Sequence, residues 1–141
     1  MNTASGGIQI DTLDAKEVAI DTASGGVRIG TVTVNDKFSV DTASGGLSAE
    51  RINAKTVKID SASGGVSLGL ETADTVDIDV ASGHVTLKLL DPEAGATVRL
   101  SKLSGGFDCK IPMIAEGKNY KIGNGAIRIT VDSASGGVEI E

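Results

Sequence analysis

Five aspartates, Asp21, Asp41, Asp60, Asp79 and Asp132, each stand three residues ahead of a serine that opens a Ser-Gly-Gly or Ser-Gly-His step. Carboxylates recurring in one place suggest three chemistries: an acid and base pair for glycoside cleavage, a row of oxygen ligands for a hard cation such as Ca²⁺, or capping of a turn through backbone N–H groups. If the units stack, Asp21, Asp41, Asp60 and Asp79 form a ladder with charges ~4.8 Å apart. Such neighbours repel by about 0.9 kcal/mol in water and about 3.5 kcal/mol at an effective dielectric of 20, so the ladder must be exposed. Calcium-binding β-rolls carry a denser Gly-Asp nonapeptide than is present here, so capping is the expected role. No metal or cofactor is expected. A glycosidase would need a distinguishable acid and base, which a uniform row does not offer.

The other chemically suggestive residues resolve in the same direction. Gly65-Val66-Ser67-Leu68-Gly69 matches a nucleophile elbow, but that pattern has meaning only on a strand-to-helix turn with a histidine and an acid in reach. Ser67 instead falls inside an alternating strand, and no Gly-Lys-Ser/Thr sequence follows any glycine pair to make a phosphate loop. His84, the only histidine, replaces the second glycine of its motif copy and reads as a turn residue; if that position needs φ > 0, His is among the less unfavourable substitutes. Cys109, the only cysteine, falls at an inward strand position and reads as a buried, inert thiol. No catalytic residue is assigned.

What positions these groups is a repeat. The motif serines lie at Ser5, Ser24, Ser44, Ser63, Ser82, Ser104 and Ser135, at intervals of 19, 20, 19, 19, 22 and 31 residues. After each Gly-Gly the chain alternates apolar and polar residues, as in Val27, Ile29 and Val66, Leu68. A second alternation precedes each motif, as in Phe38, Val40 and Val57, Ile59. A period of two is that of a half-buried strand, and Gly-Gly in every unit would cost a helix about 1 kcal/mol per glycine. Between the two runs a shorter alternation, such as Val32 with Val34, fits either a third strand or a bent connection. Units of this size cannot bury an apolar face alone, so they must stack.

The expected fold is therefore all-β: a right-handed parallel β-helix, or β-solenoid, of about seven ~20-residue coils with a hairpin-like C-terminal insertion. One domain spans 1–141, with regular coils over 1–90 and irregular coils over 91–141. The insertion carries Pro112, Met113, Tyr120 and the hairpin signal Gly123-Asn124-Gly125. At the corners the expected turn residues are Ser24, Gly25, Gly26, Ser44, Gly45, Gly46, Ser63, Gly64 and Gly65, the glycines providing positive φ and room for stacked backbones. Because Met1 precedes a unit already under way, the chain is expected to be a fragment of a longer protein.

A net charge of −6 without a basic stripe argues against nucleic acid. No run of 18 apolar residues is present to span a membrane, and no signal peptide heads the chain. Aromatics at 2% leave little for sugar stacking, so a protein or peptide partner is favoured over a glycan. Thr31-Val32-Thr33 is a single pair, too little to present an ice-like lattice.

The repeated Thr-Ala-Ser-Gly-Gly-Val units, the break at Leu89-Leu90-Asp91-Pro92-Glu93-Ala94-Gly95, and the run from Gly123 through Ser135-Gly136-Gly137-Val138-Glu139-Ile140 resemble the bacterial adhesin family also called toast-rack domains. The resemblance covers essentially the whole chain. It implies a β-helical domain found in the bacterial cell envelope or outside the cell, without an established enzymatic activity and with no catalytic residues to carry over. The function expected from it is a non-catalytic, adhesin-like interaction module with an unknown protein or cell-surface partner. The alternatives are a polysaccharide-active β-helix enzyme and a purely structural spacer. An uncapped N-terminal coil would also permit an end-to-end homodimer.

Overall fold

The computed structural model describes residues 2–89, 96–101, 107–109, 114–116, 119–122 and 127–140. Strands β1 (Asn2–Ser5), β2 (Ile8–Ser24), β3 (Val27–Ser44) and β4 (Leu47–Ser63) follow one another, and each of the last three makes a full turn of parallel sheet. In β3 the inward residues are Val27 and Ile29, then Val32 and Val34, then Phe38, Val40 and Thr42. The phase of alternation slips at Gly30-Thr31 and again at Asn35–Lys37, so each turn has three sides joined by bends. The short alternation is thus a third strand-like side, continuous with the other two. Register shifts where Asn35 and Asp36 stand opposite single residues of the adjoining turns, and this exposed extra residue is why the second interval is 20 rather than 19.

The next turn divides into β5 (Val66–Thr72) and β6 (Thr75–Ser82). Beyond it come β7 (Val85–Leu89), β8 (Ala96–Ser101), β9 (Phe107–Cys109), β10 (Ile114–Glu116), β11 (Asn119–Ile122), β12 (Ile127–Ser135) and β13 (Val138–Ile140). The protein is an all-β parallel solenoid of about four turns, not the seven coils that the motif count suggested. The motif marks a corner, and corners outnumber complete in-order turns at both ends: β1 is a corner strand alone, and after β7 the stacking leaves chain order.

That departure is the main topological finding. The order across the sheet is β10-β11-β8-β12-β6-β4 on one side of the corner and β4-β5-β7-β13-β9 on the other. Strand β12 is parallel to both neighbours, with Ile129 opposite Val76 and Val98, and β13 likewise places Val138 opposite Val85 and Phe107. The last repeat therefore lies inside the stack and the penultimate one outside it. Chain length accommodates this. Leu70 and Leu89 share a register position, yet the next side is reached at Val76 in one turn and Val98 in the other. The three additional residues can span one more layer of ~4.8 Å at up to ~3.3–3.6 Å per residue.

In the expected insertion, β10 and β11 pair antiparallel with Glu116 opposite Asn119, and β11 runs antiparallel on β8. This hairpin reverses between Glu116 and Asn119, whereas the sequence signal Gly123-Asn124-Gly125 lies outside the described residues, as do Pro112 and Met113. Stacked inward residues form one core: Ile29, Ile52, Phe38, Val57, Ile59, Val76, Ile78, Leu87, Val98 and Ile129 are essentially inaccessible. Each contributes ~1.5–3 kcal/mol relative to exposure, and among the described side chains Phe38 is the one aromatic in this core.

Candidate functional site

At the corners the chain builds four rows by register alone. Asp21, Asp41, Asp60, Asp79 and Asp132 align one above another, as do the Ser24, Ser44, Ser63, Ser82 and Ser135 positions. Asp132 thereby joins the ladder directly on Asp79. Alternation sends the aspartates and the following alanines outward and the residues between them inward: Thr22, Thr42, Ser61 and Ser133 are buried, and Val80 fills the same row. The outward residues line an open groove of about 760 Å³ that runs along the stack from Ala4 to Ala81, with the carboxylates of Asp21, Asp41, Asp60 and Asp79 beside the methyls of Ala23, Ala43 and Ala62.

The corner chemistry differs from a set of isolated turns. Ser24 Oγ donates to the Ala4 carbonyl (3.3 Å), Ser44 to Ala23 (3.3 Å), Ser63 to Ala43 (3.4 Å) and Ser82 to Ala62 (3.4 Å). Each serine thus stitches its turn to the preceding one. Backbone bonds do the same in the other direction, with Gly25 N–H donating to the Ser44 carbonyl (3.2 Å) and Gly45 N–H to Ser63 (3.2 Å). A local hydroxyl bond runs from Thr22 Oγ1 to the Ser24 carbonyl at 3.3 Å. Among the described residues the carboxylates of Asp21, Asp41, Asp60 and Asp79 make no hydrogen bond or ion pair, so the expected capping of each turn by its own aspartate is not what the geometry shows. Three inward hydroxyls, Thr42 Oγ1, Ser61 Oγ and Ser133 Oγ, are also without partners, as is the buried Oδ1 of Asp132.

The two glycines of each pair have distinct roles. Gly45 lies at φ +126°, and a Cβ there would collide with the backbone of Gly25 in the preceding turn. Gly46 is not in the left-handed region, and a Cβ would stand 3.4 Å from the Gly65 carbonyl, a tight but accessible contact. The same division holds at Gly25 and Gly26, and at Gly64 and Gly65. His84 occupies the second, tolerant position, while Gly83 carries the positive φ of +141°. The substitution therefore calls for no left-handed histidine.

His84 has an acidic partner that its local sequence does not reveal. Its Nε2 lies 3.7 Å from Glu139 Oε2, because β13 packs directly on β7; the side chains are 57% and 25% exposed. Ser67 is exposed within β5, whose strand continues to Thr72, so the elbow geometry is absent. Among the described residues no three of His, Cys, Asp and Glu converge as metal ligands, and the aspartate row is linear rather than convergent. Cys109 lies in β9 opposite Ile140, with its side chain outside the described residues. On a neighbouring side, Glu71 accepts from Asn53 Nδ2 (3.2 Å) and pairs with Arg51 Nε (3.3 Å), a local cross-turn tie.

A stack whose corners are built from Thr-Ala-Ser-Gly-Gly rows is matched over residues 1–141 by the family model Toastrack DUF4097. The chain belongs to the Toastrack family. No curated protein and no solved structure matches. Toastrack is a β-helical domain family of unknown function and not a known enzyme family. The corner motif that identifies it encodes stacking, so membership specifies the fold and leaves the activity to be argued from the surface.

Proposed function

We propose that this Toastrack chain is a non-catalytic interaction module of the bacterial cell envelope, and that it meets its partner along the aspartate and alanine groove. The observation that supports this reading is the groove itself: an open channel with regularly spaced carboxylates that form no ion pair among the described residues, beside a row of methyls. Extended faces of repeat proteins serve as binding surfaces, and like charges at strand spacing lose free energy unless something positive lies against them. The fitting partner is a cationic protein segment, with Lys or Arg over the carboxylates and apolar stems over the alanines. Among the described residues the groove lining contains no aromatic side chain to serve as a sugar platform. A polysaccharide-active enzyme would require a distinguishable acid and base, whereas the four groove carboxylates of Asp21, Asp41, Asp60 and Asp79 repeat one position along the stack. A spacer role would leave the groove without a purpose.

Capture from a bacterial envelope fraction on the immobilised chain tests the proposal. A basic partner should be retained at ~50 mM salt and released by ~500 mM, and the Asp41→Asn/Asp60→Asn/Asp79→Asn variant should bind it at least about tenfold more weakly. Equal capture by the variant would contradict the reading.

A further inference from the structure

The stacking order points to an acceptor slot within the fold. Turns β6–β7 and β8–β9 do not pair with each other; between them lies β12–β13, bonded on both sides. The segment that fills this space, Asp132-Ser133-Ala134-Ser135-Gly136-Gly137-Val138, repeats Asp60-Ser61-Ala62-Ser63-Gly64-Gly65-Val66 residue for residue. It meets β6 in the register that every in-order turn uses, Asp132 on Asp79 and Ser135 on Ser82, with the Val85 N–H donating to the Gly137 carbonyl at 2.9 Å. The copy that follows β7 in the chain, Ser101-Lys102-Leu103-Ser104-Gly105-Gly106-Phe107, has Ser at the Asp position and Lys at the position where Thr22, Thr42, Ser61 and Ser133 point into the core. The Ser135 copy keeps the residue types that the in-order copies stack on one another and the Ser104 copy does not, which favours the Ser135 segment at the inner place.

Nothing in this pairing depends on which molecule supplies the strand. Ile122 and Ile127 both lie opposite Ala96, on the two sides of β8, so only residues 123–126 join the inserted strand to the hairpin before it. We infer that the gap between β6–β7 and β8–β9 is a strand-acceptor site, and that its exchangeable occupant is β12–β13 of a second copy of this chain. The exchanged dimer makes the same strand pairs as the monomer, so the balance is set by the effective concentration of the tethered strand, on the order of millimolar for a short connection. At ~10 μM chain the exchanged form should be about one in a hundred, and at ~1 mM about half.

Disulfide trapping in a Cys109→Ser background tests this. Asp77 and Thr130 are register partners on β6 and β12, and adjoining strand positions lie within the ~4.4–6.8 Å Cα separation a disulfide needs. The double variant Asp77→Cys/Thr130→Cys should close within one chain. Two single variants, Asp77→Cys and Thr130→Cys, are then mixed at ~10 μM and ~1 mM, warmed below the global transition, cooled and oxidised. A covalent heterodimer linked between positions 77 and 130, rising steeply with concentration, is the expected result. Asp14→Cys on exposed β2 in place of Asp77→Cys measures chance collision and should give at least tenfold less. Absence of the heterodimer, an equal yield from Asp14→Cys, or failure of the double variant to close would each overturn the inference.

Discussion

The turns from β2 to β6 stack in the order in which they are synthesised, and those from β7 to β13 do not. Both regions are built from the same corner motif, so the difference shows what the motif controls. In the first region each copy presents an outward Asp, a small inward side chain that is a hydroxyl in every copy but that of β6, where it is Val80, an outward Ala, a stitching Ser and a left-handed Gly, and successive copies fit one another. In the second, the Ser104 copy breaks this code at Lys102 and Leu103 while the Ser135 copy keeps it. Neighbours are chosen by the fit of side-chain rows, and chain connectivity yields to that fit when a few extra residues allow a layer to be skipped.

The largest effect that can be used against this comparison comes from the core of the ordered region. Phe38→Ala removes an inaccessible ring and should destabilise the protein by about 3–5 kcal/mol, with protection lost from β2 to β6 together when amide hydrogen exchange is followed. A loss confined to β3 would mean that the turns do not form one cooperative stack. Next comes the glycine pair. Gly45→Ala should cost about 1–3 kcal/mol from φ alone, with the backbone collision added, whereas Gly46→Ala should stay below about 1 kcal/mol, as read from urea midpoints. Equal costs would show that the division between the two positions, and with it the account of His84, is mistaken. Ser44→Ala deletes one stitch to the Ala23 carbonyl and should lose about 0.5–1 kcal/mol. Asp60→Asn interrupts the carboxylate row and should stabilise by less than about 1 kcal/mol at low salt, a gain that disappears near ~0.5 M salt. If the gain persists at high salt, the aspartates interact by something other than screened repulsion.

Much of this architecture was legible because stacking is a repeated local problem. Period-two alternation gave the strands, the recurrence of Gly at fixed intervals gave the corners, and the aspartate row followed from register once parallel stacking was assumed. The number of turns and their order were less accessible, since a corner motif reports that a turn can stack and not what it stacks upon. The clue was present in the sequence, where the Ser104 copy carries Lys102 at the motif position that holds Thr, Ser or Val in the other copies and the Ser135 copy keeps Ser133. The bonding of the motif serines depends on the stack in the same way. Within one unit the hydroxyl can reach its own turn, but with the next unit ~4.8 Å away the carbonyl of the preceding alanine becomes the available acceptor. Glu139 as the partner of His84 could be found only by knowing that β13 lies on β7. The groove was visible as rows of residues, while its openness and the absence of bonds to its carboxylates required the fold.

The central claim is that the last repeat lies between two turns that precede it in the chain. Isotope-edited nuclear Overhauser measurements across the sheet test it most directly, using the backbone protons of Val131, Ile78 and Leu100. The account predicts cross-peaks from Val131 to both Ile78 and Leu100 and none between Ile78 and Leu100, which lie two layers and about 9.6 Å apart. Cross-peaks joining Ile78 directly to Leu100, with Val131 contacting Leu100 alone, would show an ordinary sequential stack and contradict it.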